Sequence, residues 1–217
     1  MPNKISEYKK LFQNRAFVIS FISAVLLFCL SIIVNFYAGT YATESVSNPV
    51  TDIILSNTRA YDLDGFFVYG SLLFGLFSFL ICFAKPQSLP FSIKSVSLFI
   101  LIRSLFISLT HLGPFPTQIV IHSDLLSKLS FGGDLFFSGH TGLPFLLALI
   151  FWPYKWVRYT FLTFSLSFAI IVLLAHLHYS IDVLSAFFIT YAIYHIALHL
   201  FRKDKERCYH ILDLRID

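Results

Sequence analysis

Six apolar segments dominate the sequence and restrict what the chain can fold into. They lie at about residues 16–38, 65–84, 91–112, 141–156, 157–175 and 180–201. A helix needs about 20 predominantly apolar residues to cross a bilayer, and most of the segments reach that length. Charged residues make up 13% of the chain, against about 25% in a typical soluble domain. The sequence therefore predicts an all-α integral membrane protein with six transmembrane helices.

The distribution of lysine and arginine predicts how these helices are oriented. All but three of the sixteen lysines and arginines lie in the two terminal tails, in the turn after the second segment and in the turn after the fourth. The exceptions are Arg59, Arg103 and Lys128. Because positive residues concentrate on the cytoplasmic side, we expect both termini to be cytoplasmic. The two long polar loops, residues 39–64 and 113–140, would then face the opposite compartment.

This orientation divides the chain into three predicted parts. Residues 1–15 form a cytoplasmic N-terminal tail, residues 16–201 the six-helix membrane domain that carries the catalytic residues, and residues 202–217 a cytoplasmic C-terminal tail. The net charge of +4 follows from this basic rim, so it does not indicate a nucleic-acid partner.

Two polar stretches stand at the edges of apolar segments. Gly133–Thr141 reads Gly-Asp-Leu-Phe-Phe-Ser-Gly-His-Thr, and His178–Asp182 reads His-Tyr-Ser-Ile-Asp. Ionisable residues are costly at such positions and indicate function. In the predicted topology both stretches lie at helix N-termini that face the same compartment, and Pro144 fits the first turn of a helix capped by Thr141. Because helix N-termini attract anions, we predict that the two stretches form one phosphate site.

Three residues supply the predicted chemistry. His178 and Asp182 are four residues apart, which on a helix places them on one face within hydrogen-bonding reach. The carboxylate would fix the imidazole tautomer and leave the other ring nitrogen free as a nucleophile or base. His140 comes from another helix and would supply a separate acid. Together these groups suit displacement at phosphorus.

Five further residues are candidates for substrate binding: Arg103, Asp134, Ser138, Gly139 and Tyr179. Arg103 interrupts the third apolar segment and would either pair with a carboxylate or reach out to cradle the phosphate. The small residues Ser138 and Gly139 would let backbone amides approach a phosphate. Asp134 is either a loop carboxylate or part of the substrate site. Tyr179 would either contact a choline ammonium or serve in packing.

At these residues the sequence resembles the sphingomyelin synthase family. Residues 133–141 and the stretch His-Tyr-Ser-Ile-Asp-Val at 178–183 look like its third and fourth signature motifs, and Arg103 with residues 108–110 is similar to its second. The family's first motif, Pro-Leu-Pro-Asp, is absent, and Pro-Val-Thr-Asp at 49–52 is a distant echo of it. The resemblance implies the six-span bundle of the type 2 phosphatidic acid phosphatase superfamily.

The resemblance also implies a reaction. His178 would attack phosphorus and form a phosphohistidine, with Asp182 orienting it. His140 would protonate the departing lipid oxygen and then deprotonate the acceptor hydroxyl. The family moves phosphocholine from phosphatidylcholine to ceramide, or transfers a related headgroup to a lipid alcohol. It needs no metal and no other cofactor.

Charge favours a phosphodiester substrate over a phosphomonoester. A monoester brings nearly two negative charges, and desolvating the second costs several kcal/mol unless a cation pairs with it. Arg103 is the obvious nearby cation in the sequence, which favours headgroup transfer or diester cleavage. The active site would face the periplasm of a bacterial inner membrane, or the non-cytoplasmic side of a Golgi or plasma membrane.

The sequence is also compatible with three alternative functions. Water and a lipid alcohol compete for a phosphohistidine, so a lipid phosphatase or a phospholipase C-like hydrolase is the nearest alternative. Paired histidines on neighbouring helices also suit a haem-binding membrane bundle. A lipid-binding or scaffold protein without catalysis is the third.

Overall fold

The structure is a computed structural model that describes residues 4–120 and 135–213. Within these ranges it contains helices and no strand, which confirms the all-α prediction. The helices of the described residues are α1 (Lys4–Gln13), α2 (Arg15–Glu44), α3 (Asp64–Ala84), α4 (Leu89–Leu109), α5 (Gly139–Ile150), α6 (Lys155–Leu174), α7 (Ser180–Leu200) and α8 (Arg202–Asp213). Short 3-10 turns cover Leu55–Asn57 and Pro86–Ser88.

Five of the predicted membrane segments are long apolar helices in the structure. They are α2, α3, α4 together with its preceding turn, α6 and α7, and they indicate an integral membrane protein. The fourth segment is shorter than predicted, because α5 has 12 residues and ends at Ile150. A helix of that length is about 18 Å long, against a hydrocarbon core of about 30 Å. Crossing of the bilayer by this sixth segment stays a prediction.

Hydrogen bonds between loops gather one end of the bundle, which we call the loop end. It contains the ends of α2, α4 and α6 and the starts of α3, α5 and α7. Three backbone bonds join these connections: Ser47 N to His111 O at 2.9 Å, Tyr61 N to Leu174 O at 2.8 Å and Ile119 N to Ala175 O at 3.1 Å. Both predicted motif stretches therefore belong to the same end.

The opposite end, which we call the tail end, is closed by the helices of the two tails. The Tyr8 hydroxyl of α1 donates to the Phe83 carbonyl at 2.7 Å. Arg207 of α8 donates from Nη1 to the Ala16 carbonyl at 3.0 Å. The segments predicted as polar tails thus contain helices that contact the bundle. Their predicted location in the cytoplasm stays a prediction.

A buried ion pair fixes α8 to the bundle. Lys94 Nζ of α4 lies 2.7 Å from Asp204 Oδ2 and 3.0 Å from Ser20 Oγ of α2, and the Ser20 hydroxyl also donates to Asp204. One carboxylate therefore links three helices. An aspartate in the charged tail gave no sign of this role in the sequence.

The short helix α5 packs against α4, α6 and α7. Gly142, in its first turn, allows the close approach. A Cβ atom at this position would lie 2.7 Å from Thr190 Oγ1 of α7 and 2.9 Å from Phe99 Cε2 of α4. Since both partners are buried, any larger residue must displace them. The glycine thereby brings the start of α5 close to the neighbouring helices.

We expect Gly142→Ala to destabilise the protein by about 1–3 kcal/mol, because overpacking a filled core forces neighbours to move. Gly75→Ala is the matched control, since a Cβ at Gly75 of α3 meets no atom within 4 Å. Alanine is intrinsically better than glycine in a helix by up to about 1 kcal/mol, so the control should be neutral or stabilising. Thermal unfolding of the purified protein in detergent measures both. Equal melting temperatures for the two variants would contradict this account of the packing.

Candidate active site

Two hydrogen bonds join the predicted motif stretches across the loop end. The Ser138 amide donates to the Asp182 carbonyl at 3.2 Å. His178 Nδ1 lies 3.0 Å from the Leu135 carbonyl oxygen. The segment before α5 and the start of α7 are therefore in direct contact, although more than 40 residues separate them in sequence.

His178 is held by a backbone carbonyl more closely than by the predicted carboxylate. Its Nδ1 is 3.5 Å from Asp182 Oδ2, against 3.0 Å from Leu135 O. The residue precedes α7, which begins at Ser180, so the expectation of one shared helix face is wrong. Because a carbonyl only accepts hydrogen bonds, Nδ1 carries the proton and Nε2 keeps its lone pair.

Asp182 acts at the start of α7 as a capping residue. Its Oδ2 accepts from the amide of the N-cap residue Tyr179 at 3.0 Å, as in a capping box. The side chain is completely buried, and Oδ1 has no hydrogen-bond partner among the described residues. The carboxylate thus caps α7 and at the same time lies 3.5 Å from the His178 imidazole.

His140 is the second residue of α5 and lies against two phenylalanines. Its ring centroid is 4.4 Å from that of Phe67 of α3 and 5.7 Å from that of Phe168 of α6. Both His178 and Arg103 are close enough to act on it electrostatically. The imidazole at the start of α5 and the imidazole just before α7 therefore share one region of the loop end.

Arg103 places a guanidinium at the start of α5. Its Nε donates to the Phe137 carbonyl at 3.2 Å, and a Cβ atom at Gly139 would lie 3.3 Å from the same nitrogen. The first-turn amides of Gly139 and His140 have no acceptor within the helix. Guanidinium and helix N-terminus together attract an anion.

The cap of α5 differs from the sequence-based expectation. Ser138 is the N-cap, and its hydroxyl oxygen accepts from the Thr141 amide at 3.4 Å. Thr141 is therefore not the cap, and Pro144 lies inside the helix beyond its first turn. The Ser138 amide, predicted to be available for a phosphate, already donates to Asp182.

Phe137 has a strained backbone, at the junction where the segment before α5 meets the start of α7. Its φ is 34°, a left-handed conformation that costs a non-glycine residue about 1–3 kcal/mol. The ring is completely buried, with its centroid 5.4 Å from that of Phe99 and 6.0 Å from that of Phe106. Aromatic packing on α4 therefore maintains the conformation that directs the Phe137 carbonyl to Arg103.

Tyr179 connects the site to both long loops. Its hydroxyl donates to the Gly113 carbonyl at 2.7 Å and accepts from the Val50 amide at 3.2 Å. Burial raises the pKa of this hydroxyl, which keeps it protonated as a donor. The ring is 1% exposed and packs edge-on against Phe115. These contacts give Tyr179 a positioning role rather than a free face for a headgroup.

Asp52 fixes the first loop to the start of α7, a contact that sequence reasoning missed. Its Oδ2 accepts from the Ser180 amide at 2.7 Å and from the Ser180 hydroxyl at 2.8 Å. Its Oδ1 accepts from the amides of Ile54 at 2.8 Å and Leu55 at 3.0 Å. Burial by itself raises the pKa of the Asp52 carboxyl, but these bonds outweigh it and hold the pKa below its ordinary 3.8. The sequence offered one indication of this role, namely the weak resemblance of Pro-Val-Thr-Asp at 49–52 to the family's first signature motif.

His176 lies in the turn between α6 and α7 and connects this turn to both long loops. Its Nδ1 lies 2.6 Å from Thr117 Oγ1 and its Nε2 3.3 Å from Thr58 Oγ1. The residue is 2% exposed and has a φ of 54°. Burial lowers the pKa of this imidazole despite the attraction of the nearby Asp52 carboxylate. His176 is therefore neutral near pH 7.

Asp134 lies outside the described residues. Its predicted part in the substrate site stays a prediction.

Comparison with known families bears on the same region of the chain. Residues 132–200 match the family model described as PAP2 superfamily C-terminal. The match supports the PAP2 superfamily. It covers α5 to α7 and both motif stretches, and members of this superfamily are typically phosphatases or phosphotransferases. Nothing in the match is specific to sphingomyelin synthases, so that finer assignment stays a prediction. No curated protein and no solved structure matches the chain significantly.

We expect Asp52→Asn to destabilise the protein by about 2 kcal/mol near neutral pH, because hydrogen bonds to a charged group are lost. The pKa of Asp52 is lower in the folded than in the unfolded protein, so its contribution is present above pH 3.8 and disappears as the pH falls through the folded pKa. The difference in melting temperature between wild type and variant should therefore be constant from neutral to mildly acidic pH and shrink below pH 3.8. Thermal unfolding across this range measures it.

Asp62→Asn is the control, since Asp62 is an exposed aspartate of the same loop. It should change the melting temperature little at any pH. Contributions from titrating groups that do not interact with Asp52 are common to wild type and variants and cancel in the difference, whereas the attraction between Asp52 and His176 contributes only where His176 is protonated. A difference for Asp52→Asn that is independent of pH would contradict the assigned role of the carboxylate.

Proposed function

We propose that the protein is a membrane lipid phosphotransferase. It moves a phospho-headgroup, phosphocholine or a similar group, from a glycerophospholipid to ceramide or another lipid alcohol through a phosphohistidine at His178. The observation that carries the proposal is the His178 imidazole, whose Nδ1 is bound to Leu135 O at 3.0 Å with the Asp182 carboxylate 3.5 Å away. The superfamily match supports phosphatase or phosphotransferase chemistry in general.

In the first step, Nε2 of His178 donates its lone pair to phosphorus. The bond between phosphorus and the diacylglycerol oxygen breaks, and His140 gives that oxygen a proton. Asp182 stabilises the positive charge that His178 acquires when Nε2 is phosphorylated. The Leu135 carbonyl keeps the Nδ1 proton in place, so the reacting nitrogen stays the same throughout.

In the second step, the acceptor hydroxyl attacks phosphorus and gives its proton to His140. The bond between phosphorus and Nε2 breaks, which returns both histidines to their starting protonation states. If water takes the place of the lipid alcohol, the same steps release the free phospho-headgroup. The choice of acceptor thus distinguishes a transferase from the hydrolase alternative.

Arg103 and the first turn of α5 would bind the phosphate oxygens. The guanidinium lies against Gly139, where first-turn amides are available. One cation matches the single charge of a phosphodiester. Lysines and arginines concentrate toward the tail end, away from this site, so the positive-inside rule supports a site on the non-cytoplasmic side of the membrane.

The first test is transfer itself, with purified full-length protein, labelled phosphatidylcholine, and ceramide or diacylglycerol as acceptor. We expect transfer of the labelled headgroup in the presence of a chelator, and His178→Ala should lower turnover by at least about a thousandfold. His199→Ala is the matched control, because His199 is an exposed histidine toward the far end of α7. Undiminished turnover in His178→Ala would refute the proposal. Release to water alone would establish the hydrolase instead.

The second test traps the intermediate. A 4-nitrophenyl ester of phosphocholine has a good leaving group and needs no general acid, so His140→Gln should still be phosphorylated on His178. Because nothing then deprotonates the acceptor, labelled phosphoenzyme should accumulate. Its label should be stable in alkali, labile in acid and absent from the double variant with His178→Ala. Label that persists in the double variant would place the nucleophile elsewhere.

The third test concerns substrate charge. With Arg103 as the cation against the start of α5, we expect faster turnover of phosphatidylcholine, a diester, than of phosphatidic acid, a monoester, at equal chain length. Arg103→Gln should lower kcat/KM for the diester by about a hundredfold. A wild type that prefers phosphatidic acid would argue for a lipid phosphatase.

A further inference from the structure

A groove between α3 and α6 runs beside the candidate active site. Its volume is about 1020 Å³, at the upper end of the roughly 300–1,000 Å³ of small-molecule pockets. Small residues such as Gly70 and Ser167 line it together with aromatic residues such as Tyr69 and Trp156. None of the described residues that line it is charged. The groove therefore suits an apolar ligand.

The groove and the site are neighbours that share one aromatic ring as a wall. Phe168 is among its lining residues, and the centroid of this ring lies 5.7 Å from that of His140. Phe67, the other ring against His140, packs edge-on against Phe168 at 6.3 Å. A ligand in the groove is thus separated from the candidate general acid by a single layer of aromatic side chains.

The length and direction of the groove fit a lipid chain. Along α6 its lining residues extend from Trp156 to Ile171, which corresponds to about 22 Å of helix. One leaflet of hydrocarbon is about 15 Å thick. Phe168 and His140 lie near the loop end of the groove, so a lipid with its phosphate at the histidines would extend its tail along the groove toward the tail end.

We infer that this groove holds an acyl chain of the phospholipid substrate while the headgroup lies at His140 and His178. The inference rests on the proposed function for the position of the headgroup. In this arrangement α3 and α6 select the substrate by the length of its acyl chain, and Gly70 keeps the groove open. A Cβ at Gly70 would already contact the Phe168 ring at 3.4 Å, so a longer side chain fills the space.

Leucine substitutions on α3 provide a matched set of variants. Gly70→Leu and Gly65→Leu place a side chain in the groove, and both glycines line it. At Gly65 a Cβ meets no atom within 4 Å, whereas at Gly70 a Cβ already contacts the Phe168 ring. Gly75→Leu is the control, since Gly75 also has open space around it but is not among the lining residues.

The first measurement is independent of turnover. Phosphatidylcholine with a diazirine in its acyl tail is photocrosslinked to the purified full chain in detergent, and the adducts are mapped by mass spectrometry. We expect the adducts to map to the groove-lining residues of α3 and α6. Their yield should be several-fold lower in Gly70→Leu and Gly65→Leu than in the wild type, and unchanged in Gly75→Leu. Equal adducts in all three variants would mean general lipid contact and overturn the inference.

The second measurement uses chain length. Gly70→Leu and Gly65→Leu should lower kcat/KM for long-chain phosphatidylcholine by about tenfold and leave that for a short-chain, water-soluble analogue nearly unchanged. Equal losses for both chain lengths in Gly65→Leu would contradict chain binding in the groove. If even the wild type turns over neither substrate, the proposed function fails, and the crosslinking result alone decides whether the groove binds the chain.

Discussion

The contact between residues 135–138 and the start of α7 is the interaction on which the rest of the site depends. Asp182 contributes twice, since its carbonyl accepts from Ser138 and its carboxylate from Tyr179. The Leu135 carbonyl in turn fixes the tautomer of His178. The bonds that dock the two segments are therefore the same bonds that prepare the imidazole for reaction. Any change that separates the segments alters both packing and chemistry.

This junction is costly, and the surrounding helices compensate for it. Phe137 adopts a left-handed backbone, and Asp182 buries a carboxyl group with one oxygen unpaired among the described residues. The Arg103 guanidinium holds the Phe137 carbonyl, aromatic rings of α4 enclose the Phe137 side chain, and Gly142 lets α5 approach closely. Strain of this kind persists only where neighbours over-determine the conformation, and it concentrates at functional sites.

The loops reinforce the junction from outside. Asp52 and His176 attach them to the turn that carries His178, through Ser180 on one side and through two threonines on the other. Side-chain bonds between loops are hard to foresee, because residues distant in sequence meet only after the helices have packed. The polarity of the two motif stretches made their convergence predictable, whereas Asp52 carried no periodicity or spacing that pointed to α7.

Local features of the sequence were enough to predict the helical segments and the pair of polar stretches near His140 and His178. Hydropathy and segment length are local properties, and alternating helix directions then bring both stretches to one end of the bundle. Four features became visible only in the packed helices: a backbone carbonyl holds His178, Ser138 caps α5 in place of Thr141, Tyr179 faces the loops, and a groove passes Phe168. The first reason is that every residue carries a backbone carbonyl, so the sequence does not show which carbonyl will bind a distant side chain. The second is that helices approach closely only where small residues leave room, which depends on the packing of all neighbours.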